Sequence, residues 1–122
     1  MGEKILVVDD SGIVRNLHSF MLKSAGFEVT EAVNGYEALE KILSTQFDLI
    51  IADINMPKMD GFALCKEIRA NENYKDTPII IVSTESEAED KMKGFKAGAN
   101  LYLVKPVNAE DLIENSKMLL KG

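Results

Sequence analysis

Four short apolar runs, each followed by residues suited to phosphate chemistry, are the feature that most limits how this chain can fold. Short runs that are apolar on both faces are typical of parallel strands covered on two sides. The carboxyl ends of parallel strands share one edge of the sheet, where open α/β sheets bind ligands, so the residues after the runs are predicted to meet. The runs are 5–8, 49–52, 79–82 and 101–104, and they are followed by Asp9-Asp10, Asp53, Ser83-Thr84 and Lys105-Pro106.

Segments with helical periodicity lie between these runs. The spacings from Asn34 to Glu37 and from Ser86 to Glu89 are those of capping boxes, which predict the starts of the second and fourth helices. With a further strand near residues 28–32, strand and helix alternate five times, which predicts one α/β domain with helices on both faces of a parallel sheet. The predicted apolar stripes are Ile13, Val14, Leu17, Phe20 and Met21 in the first helix, which Gly26 ends, and Ala88, Met92 and Phe95 in the fourth, which Gly98 ends.

Charge and cysteine content exclude several classes of protein. The chain has 14 basic and 20 acidic residues, for a net charge of -6, and no basic cluster that would attract nucleic acid or an anionic membrane. No apolar stretch has the length of a signal peptide or a membrane span. Cys65 is the only cysteine, so no intrachain disulfide forms. We expect a cytoplasmic single domain over residues 1–122, with no output domain after the last helix.

The acids at the predicted sheet edge have the chemistry of a magnesium-dependent phosphoryl acceptor. Neighbouring strands lie about 4.8 Å apart, so Asp10 and Asp53 can share one ion if their strands are adjacent. Magnesium suits them because it binds carboxylates, water and phosphate oxygens. Asp53 can then attack a phosphoryl group as a carboxylate nucleophile and form an acyl phosphate. Lys105 and Ser83 can stabilise the phosphoryl oxygens.

Taken together, these motifs resemble the receiver domain of two-component response regulators. The length of the chain and the Asn-Met-Pro after Asp53 are most similar to the standalone, CheY-like chemotaxis type. The resemblance implies a doubly wound, flavodoxin-like sheet of five parallel strands in the order 2-1-3-4-5, with five helices. The motifs that carry it span essentially the whole chain and are Asp9-Asp10, residues 53–61, Ser83-Thr84, residues 96–102 and Lys105-Pro106.

The resemblance also implies how the site would hold magnesium and the phosphoryl group. Asp53 would be the phosphoacceptor. Asp10, Asp53 and the backbone carbonyl of Asn55 would bind Mg²⁺, and Asp9 would act through a metal-bound water. Lys105 would pair with the phosphoryl group beside a cis bond to the following proline, Pro106.

Further roles are implied for the switch and for the rim of the site. Ser83 would move toward the phosphoryl oxygens, and Tyr102 would turn inward into the vacated space. Asn55, Thr84 and Glu85 would tune access to the acyl phosphate and its lifetime, and Thr84 would narrow that access because it is larger than the alanine often found there.

The partners implied are those of a signalling protein. A sensor histidine kinase would phosphorylate Asp53, and the face formed by the fourth helix, fifth strand and fifth helix would then control a downstream protein. A flagellar motor switch protein or another kinase would fit that role, and an auxiliary phosphatase would be a further partner. The chain would be no enzyme beyond catalysing its own phosphorylation and dephosphorylation.

Other interpretations of the sequence remain open. A phosphatase of the haloacid dehalogenase type also uses a strand-end aspartate, but it needs an acid where Asn55 stands. A flavin-binding module, a receiver in a phosphorelay outside chemotaxis, and an adaptor that needs no phosphorylation are the further alternatives. His18 is predicted as a surface or partly buried residue without a catalytic role, and Cys65 as a packing residue. Gly94 either weakens the fourth helix beside the switch or permits close packing.

Overall fold

A five-stranded parallel sheet forms the centre of the computed structural model, which describes residues 2–121. The strands are β1 (Lys4–Val8), β2 (Glu28–Ala32), β3 (Leu49–Ala52), β4 (Ile79–Ser83) and β5 (Leu101–Val104). Their order in the sheet is β2-β1-β3-β4-β5, and all neighbouring strands are parallel. This confirms the predicted doubly wound α/β fold and its strand order.

Five helices cover the two faces of the sheet and enclose two cores. The helices are α1 (Gly12–Ser24), α2 (Gly35–Ser44), α3 (Gly61–Arg69), α4 (Ala88–Ala97) and α5 (Ala109–Lys121), and a short 3-10 turn (Glu72–Tyr74) precedes β4. Successive residues of a strand point to opposite faces, so Ile5 and Val7 lie in the core under α1 and α5, whereas Leu6 and Val8 lie in the core under α2, α3 and α4. No helix within residues 2–121 has both the length and the apolar character needed to cross a bilayer.

One of the two predicted capping boxes forms. The Asn34 side chain accepts a hydrogen bond from the Glu37 amide at 2.8 Å, and the Glu37 carboxylate accepts one from the Val33 amide at 2.9 Å. The box predicted from Ser86 is wrong, because α4 begins one residue later, after Glu87, which makes no side-chain capping bond. The start of α4 is therefore held more weakly than that of α2.

The predicted apolar stripe of α1 is wrong in part, because only Val14 and Met21 of its five residues are partly buried. Ile13 is 85% exposed and Phe20 is 70% exposed, while the buried residues of α1 are His18, Ser19 and Leu22. Arg15, on the same face as the buried set, donates to Glu31 at 2.9 Å and to the Asp9 carbonyl at 2.8 Å. These contacts fix the rotation of α1, so Ile13, Leu17 and Phe20 face outward.

The predicted stripe of α4 is also wrong. Met92 is 56% exposed and Phe95 is 48% exposed, whereas Gly94 and Ala97 are buried. Small residues face the sheet because α4 approaches β5 closely, as the contact of Gly94 with Tyr102 shows below. The larger apolar side chains are left on the surface.

Two residues that the sequence did not single out hold the edge of the sheet opposite the predicted site. The Arg69 guanidinium donates to the carbonyls of Tyr74, Thr77 and Gly98 at 2.7 to 2.8 Å and to the Asn100 side chain at 2.9 Å. The buried Tyr74 hydroxyl also donates to the Thr45 carbonyl at 2.6 Å. These bonds join the ends of α2, α3 and α4 to the loops that lead into β4 and β5.

Candidate functional site

Three carboxylates meet at the carboxyl edge of the sheet, as the four apolar runs predict. Asp9 and Asp10 follow β1, Asp53 follows β3, and the last residues of these neighbouring strands pair in register. One oxygen of each carboxylate lies within 4.8 Å of an oxygen of each of the others. Asp9 and Asp53 are buried, at 3% and 6% exposure, and Asp10 is exposed.

Lys105 reaches this group from β5, two strands away from β3. Its Nζ lies 2.9 Å from Oδ2 of Asp9 and 3.2 Å from Oδ1 of Asp53. Burial alone would lower the pKa of Lys105, but the hydrogen bonds and charges of the two acids outweigh it, and the pKa is raised. Lys105 is therefore charged at neutral pH. The bond to Pro106 is cis, as the family resemblance implies.

The charge balance of the site suits a divalent cation. Three carboxylates face one ammonium group, so negative charge remains even with Lys105 in place. Burial raises the pKa of Asp53, the charge of Lys105 lowers it and that of Asp9 raises it, and the net shift is upward. A cation bound by the three acids would remove this repulsion, and carboxylate oxygens are the ligands that magnesium prefers. The residues present fit Mg²⁺.

This electrostatic strain predicts that Asp53→Asn stabilises the protein in magnesium-free buffer at pH 7. The pKa of Asp53 is raised in the folded state above its usual value of 3.8, so folding becomes less favourable as pH rises from 3.8 through the raised value. The loss of folding free energy is constant at pH values above the raised pKa and absent at pH values below 3.8. Urea denaturation with a chelator at pH 7 and at pH 3 measures the difference.

The matched control for this prediction is Glu40→Gln, at an exposed position on α2. Its substitution also converts an acid to its amide, but we expect it to change the free energy of unfolding little at either pH. An Asp53→Asn protein that is less stable than the parent at pH 7 would contradict the prediction.

Ser83 and Tyr102 lie together beneath the loop that leads from β4 to α4. Ser83 is fully buried, and its hydroxyl accepts a hydrogen bond from the Glu85 amide at 3.1 Å. The Tyr102 ring is buried, and its hydroxyl donates to the Glu85 carbonyl at 2.7 Å. Burial raises the pKa of Tyr102, and hydrogen bonding with Ser83 opposes that rise. Tyr102 thus occupies an inward position, and both side chains bond to the backbone of one residue, Glu85.

Asn55, Thr84 and Glu85 form the exposed rim of the site. The Asn55 side-chain amide donates to the Glu85 carboxylate at 3.4 Å, which joins the loop after β3 to the loop after β4. Thr84 is exposed and lines an apolar cavity of about 290 Å³ beside Lys105. The other residues that line this cavity are Val14, Leu17, His18, Pro106 and Val107.

His18 lies deeper than the sequence predicts. It is only 4% exposed, on the face of α1 that covers the sheet. Burial and the charge of Lys105 lower its pKa, against an opposing effect of Asp9, so the imidazole is neutral at pH 7. His18 lies one helical turn before the buried Leu22, so the two residues share the buried face of α1. The sequence shows this only when the rotation of α1 is known. Cys65 is buried as predicted, and burial raises the pKa of its thiol to about 12.

Comparison with known proteins gives concordant matches. Residues 5–117 match the family model of the response regulator receiver domain. Protein PilG of Pseudomonas aeruginosa is 39% identical over 92% of this chain and 83% of its own length. The chain spans about half the length of several other curated relatives that it matches.

Solved structures agree with this family match. The chemotaxis protein CheY4 of Vibrio cholerae has a TM-score of 0.94 and 43% identity over 98% of this chain and 99% of that one. The receiver domain of the sensor histidine kinase PA1611 of Pseudomonas aeruginosa has a TM-score of 0.93 and 30% identity, and each chain is covered completely. That structure holds a magnesium ion coordinated in its active-site cleft.

Proposed function

Because the chain belongs to the response regulator receiver domain family, we propose that it accepts a phosphoryl group on Asp53 and passes the signal to a partner protein. The single observation that carries this proposal is the meeting of the three carboxylates with Lys105 at the sheet edge. Receiver domains act with sensor histidine kinases and downstream targets and are generally signalling modules without enzymatic turnover.

In the proposed reaction, an Asp53 carboxylate oxygen attacks the phosphorus of a phosphohistidine on the kinase. A phosphorus–oxygen bond forms as the phosphorus–nitrogen bond breaks, and the electron pair stays on the imidazole nitrogen, which takes up a proton. Lys105 already lies 3.2 Å from an oxygen of Asp53, so its charge is in place to stabilise the oxygens of the transferred group. Hydrolysis of the acyl phosphate returns Asp53 to its carboxylate.

Asp10, Asp53 and the backbone carbonyl of Asn55 would hold Mg²⁺ in this site. When bound, the ion supplies positive charge at the phosphoryl oxygens. We assign Asp9 a less direct part, acting through water, because both of its oxygens are already engaged. Oδ1 accepts from the Ser11 amide at 2.9 Å, and Oδ2 accepts from Lys105 at 2.9 Å.

The switch would run through Ser83, Glu85 and Tyr102. A phosphoryl group on Asp53 offers new acceptor oxygens, and the Ser83 hydroxyl would turn toward one of them. That turn would weaken the bond that Ser83 accepts from the Glu85 amide and leave the phenol with the Glu85 carbonyl. The loop after β4 and the start of α4 would follow, because α4 has no side-chain cap to resist the movement.

The output surface would be the face formed by α4, β5 and α5. Three of its apolar side chains, Met92, Phe95 and Val104, are exposed. A downstream protein bound to this face would cover these side chains. We therefore assign binding of that partner to this face. The likeness to the chemotaxis protein CheY4 of Vibrio cholerae favours a partner in motility.

The kinase would dock on the outward face of α1. Ile13, Leu17 and Phe20 form an exposed apolar stripe, and Leu17 also lines the apolar cavity that borders Lys105. A donor must bring its phosphohistidine to Asp53, so it must cover this rim of the site. An apolar surface of the kinase could pack on this stripe and reach, through the cavity, the groups that react. Thr84, at the same rim, would limit how closely the donor approaches.

The experiment that tests the proposal is incubation with acetyl phosphate and Mg²⁺, followed by intact-protein mass spectrometry. We expect the wild type to gain one labile phosphoryl group and Asp53→Asn to gain none. The adduct should be lost on standing or at raised pH, as an acyl phosphate is. Absence of any adduct in a folded wild-type protein would contradict the proposal, and steady release of phosphate from phosphomonoesters would favour the phosphatase alternative.

A further inference from the structure

Helix α4 approaches Tyr102 closely at Gly94. A β-carbon added at Gly94 would lie 3.2 Å from Cδ2 of the Tyr102 ring and 3.2 Å from Cδ1 of Ile81. Both contacts are tighter than ordinary packing, so the atoms around position 94 would have to give by a few tenths of an ångström. Gly94 is therefore the residue that leaves room for the inward ring.

The two neighbours differ in their freedom to move. Ile81 is fully buried in β4, which lies between β3 and β5, so its side chain is surrounded on all sides. Tyr102 retains 8% exposure, and its hydroxyl donates a hydrogen bond to the Glu85 carbonyl at the surface end of the ring. Outward rotation of the Tyr102 ring is thus the open route by which a larger residue at position 94 would be accommodated.

The contact also decides between the two interpretations of Gly94 that the sequence leaves open. Glycine is unfavourable inside a helix compared with alanine, and α4 already lacks a side-chain cap. If position 94 faced open space, alanine would simply strengthen the helix. The 3.2 Å approach to Tyr102 instead makes glycine a packing requirement of the inward ring.

We propose that Gly94 is a positioning residue that sets the balance between the inward and outward positions of Tyr102. Its role in signalling rests on the proposed function, in which Tyr102 is part of the switch, whereas its effect on the ring does not. A β-carbon at position 94 shifts the ring outward and breaks the bond to the Glu85 carbonyl.

The test compares Gly94→Ala in the wild type and in a Tyr102→Ala background, using nuclear Overhauser contacts and thermal denaturation. In the wild-type background we expect the contacts between the Tyr102 ring and the Ile81 methyl groups to be weakened or lost. Without the ring, alanine at position 94 keeps only the tight contact with Ile81. The change in melting temperature caused by Gly94→Ala should therefore be more favourable in the Tyr102→Ala background than in the wild type. Retained ring contacts, or an equal shift of melting temperature in both backgrounds, would overturn the proposal.

Gly12→Ala is the control for the helical preference of alanine. A β-carbon at Gly12 would find as its nearest neighbour Nη2 of Arg15 at 3.7 Å, an ordinary contact. Its effect on the melting temperature should be the same with and without the Tyr102 ring. Labelling with acetyl phosphate is measured in parallel, so that failure of Asp53 to accept a phosphoryl group is recognised separately from the behaviour of Tyr102.

Discussion

Replacing Lys105 with methionine is expected to destabilise the protein by about 3 kcal/mol in magnesium-free buffer, because it leaves buried carboxylates without their cation. Lys105 lies 2.9 Å from Asp9 and 3.2 Å from Asp53, and both acids are almost fully buried. Methionine keeps the apolar stem and removes only the charge, so the loss reports the electrostatics of the site. Urea denaturation at pH 7 measures it.

Magnesium should restore part of that stability, because a divalent cation at the acids supplies positive charge where the ammonium group was. Phosphoryl transfer from acetyl phosphate should remain slower by about 100-fold, since loss of one group that stabilises developing charge has effects of that order. Lys117→Met, at an exposed position on α5, is the control and should behave as the wild type. A Lys105→Met protein as stable as the wild type without magnesium would show that the two acids carry little charge.

The second large effect is expected for Gly61→Ala, at the first residue of α3. A β-carbon there would lie 2.4 Å from the carbonyl oxygen of Asp53 and 2.8 Å from Cα of Ile54. These are backbone atoms at the end of β3, and the Gly61 amide donates to the Ile54 carbonyl at 2.9 Å. The loop that carries Asp53 must therefore shift, and overpacking of this kind costs about 3 kcal/mol.

The same shift would disturb the acids, so we expect Gly61→Ala to lose most of its labelling by acetyl phosphate as well as stability. Gly12→Ala is again the matched control, since it adds the same methyl group at the first residue of a helix with room to spare. Thermal denaturation and intact mass measure the two losses. A Gly61→Ala protein with unchanged stability would mean that the close approach of α3 to β3 is not a constraint on the site.

The fold and the location of the site could be predicted because both follow from strongly patterned residues. The strand interiors are apolar on both faces, which only a sheet covered on two sides accommodates, and their ends carry polar residues of the right types. The meeting of Asp10 and Asp53 needed only that β1 and β3 be neighbours. The cap at Asn34 was equally local, since its bonding partners lie within four residues.

The helix faces could not be predicted from periodicity alone. In α1 the outward arc is as apolar as the inward one, and the rotation is fixed by Arg15 through contacts with Glu31 and the Asp9 carbonyl. In α4 the close approach of the Tyr102 ring leaves room only for a small residue on the buried face, and Gly94 occupies that position. Such choices depend on residues that are distant in sequence. Arg69 was missed for the same reason, because its acceptors lie up to 31 residues away.

The measurement that tests the central claim most directly is the location of the phosphoryl group by tandem mass spectrometry after incubation with acetyl phosphate, with and without Mg²⁺. We predict one modified residue, Asp53, and strong dependence on the metal. Modification of another residue, or labelling of Asp53 that is equally fast in the presence of a chelator, would contradict the view that these acids and Lys105 form one magnesium-dependent phosphoryl-accepting site.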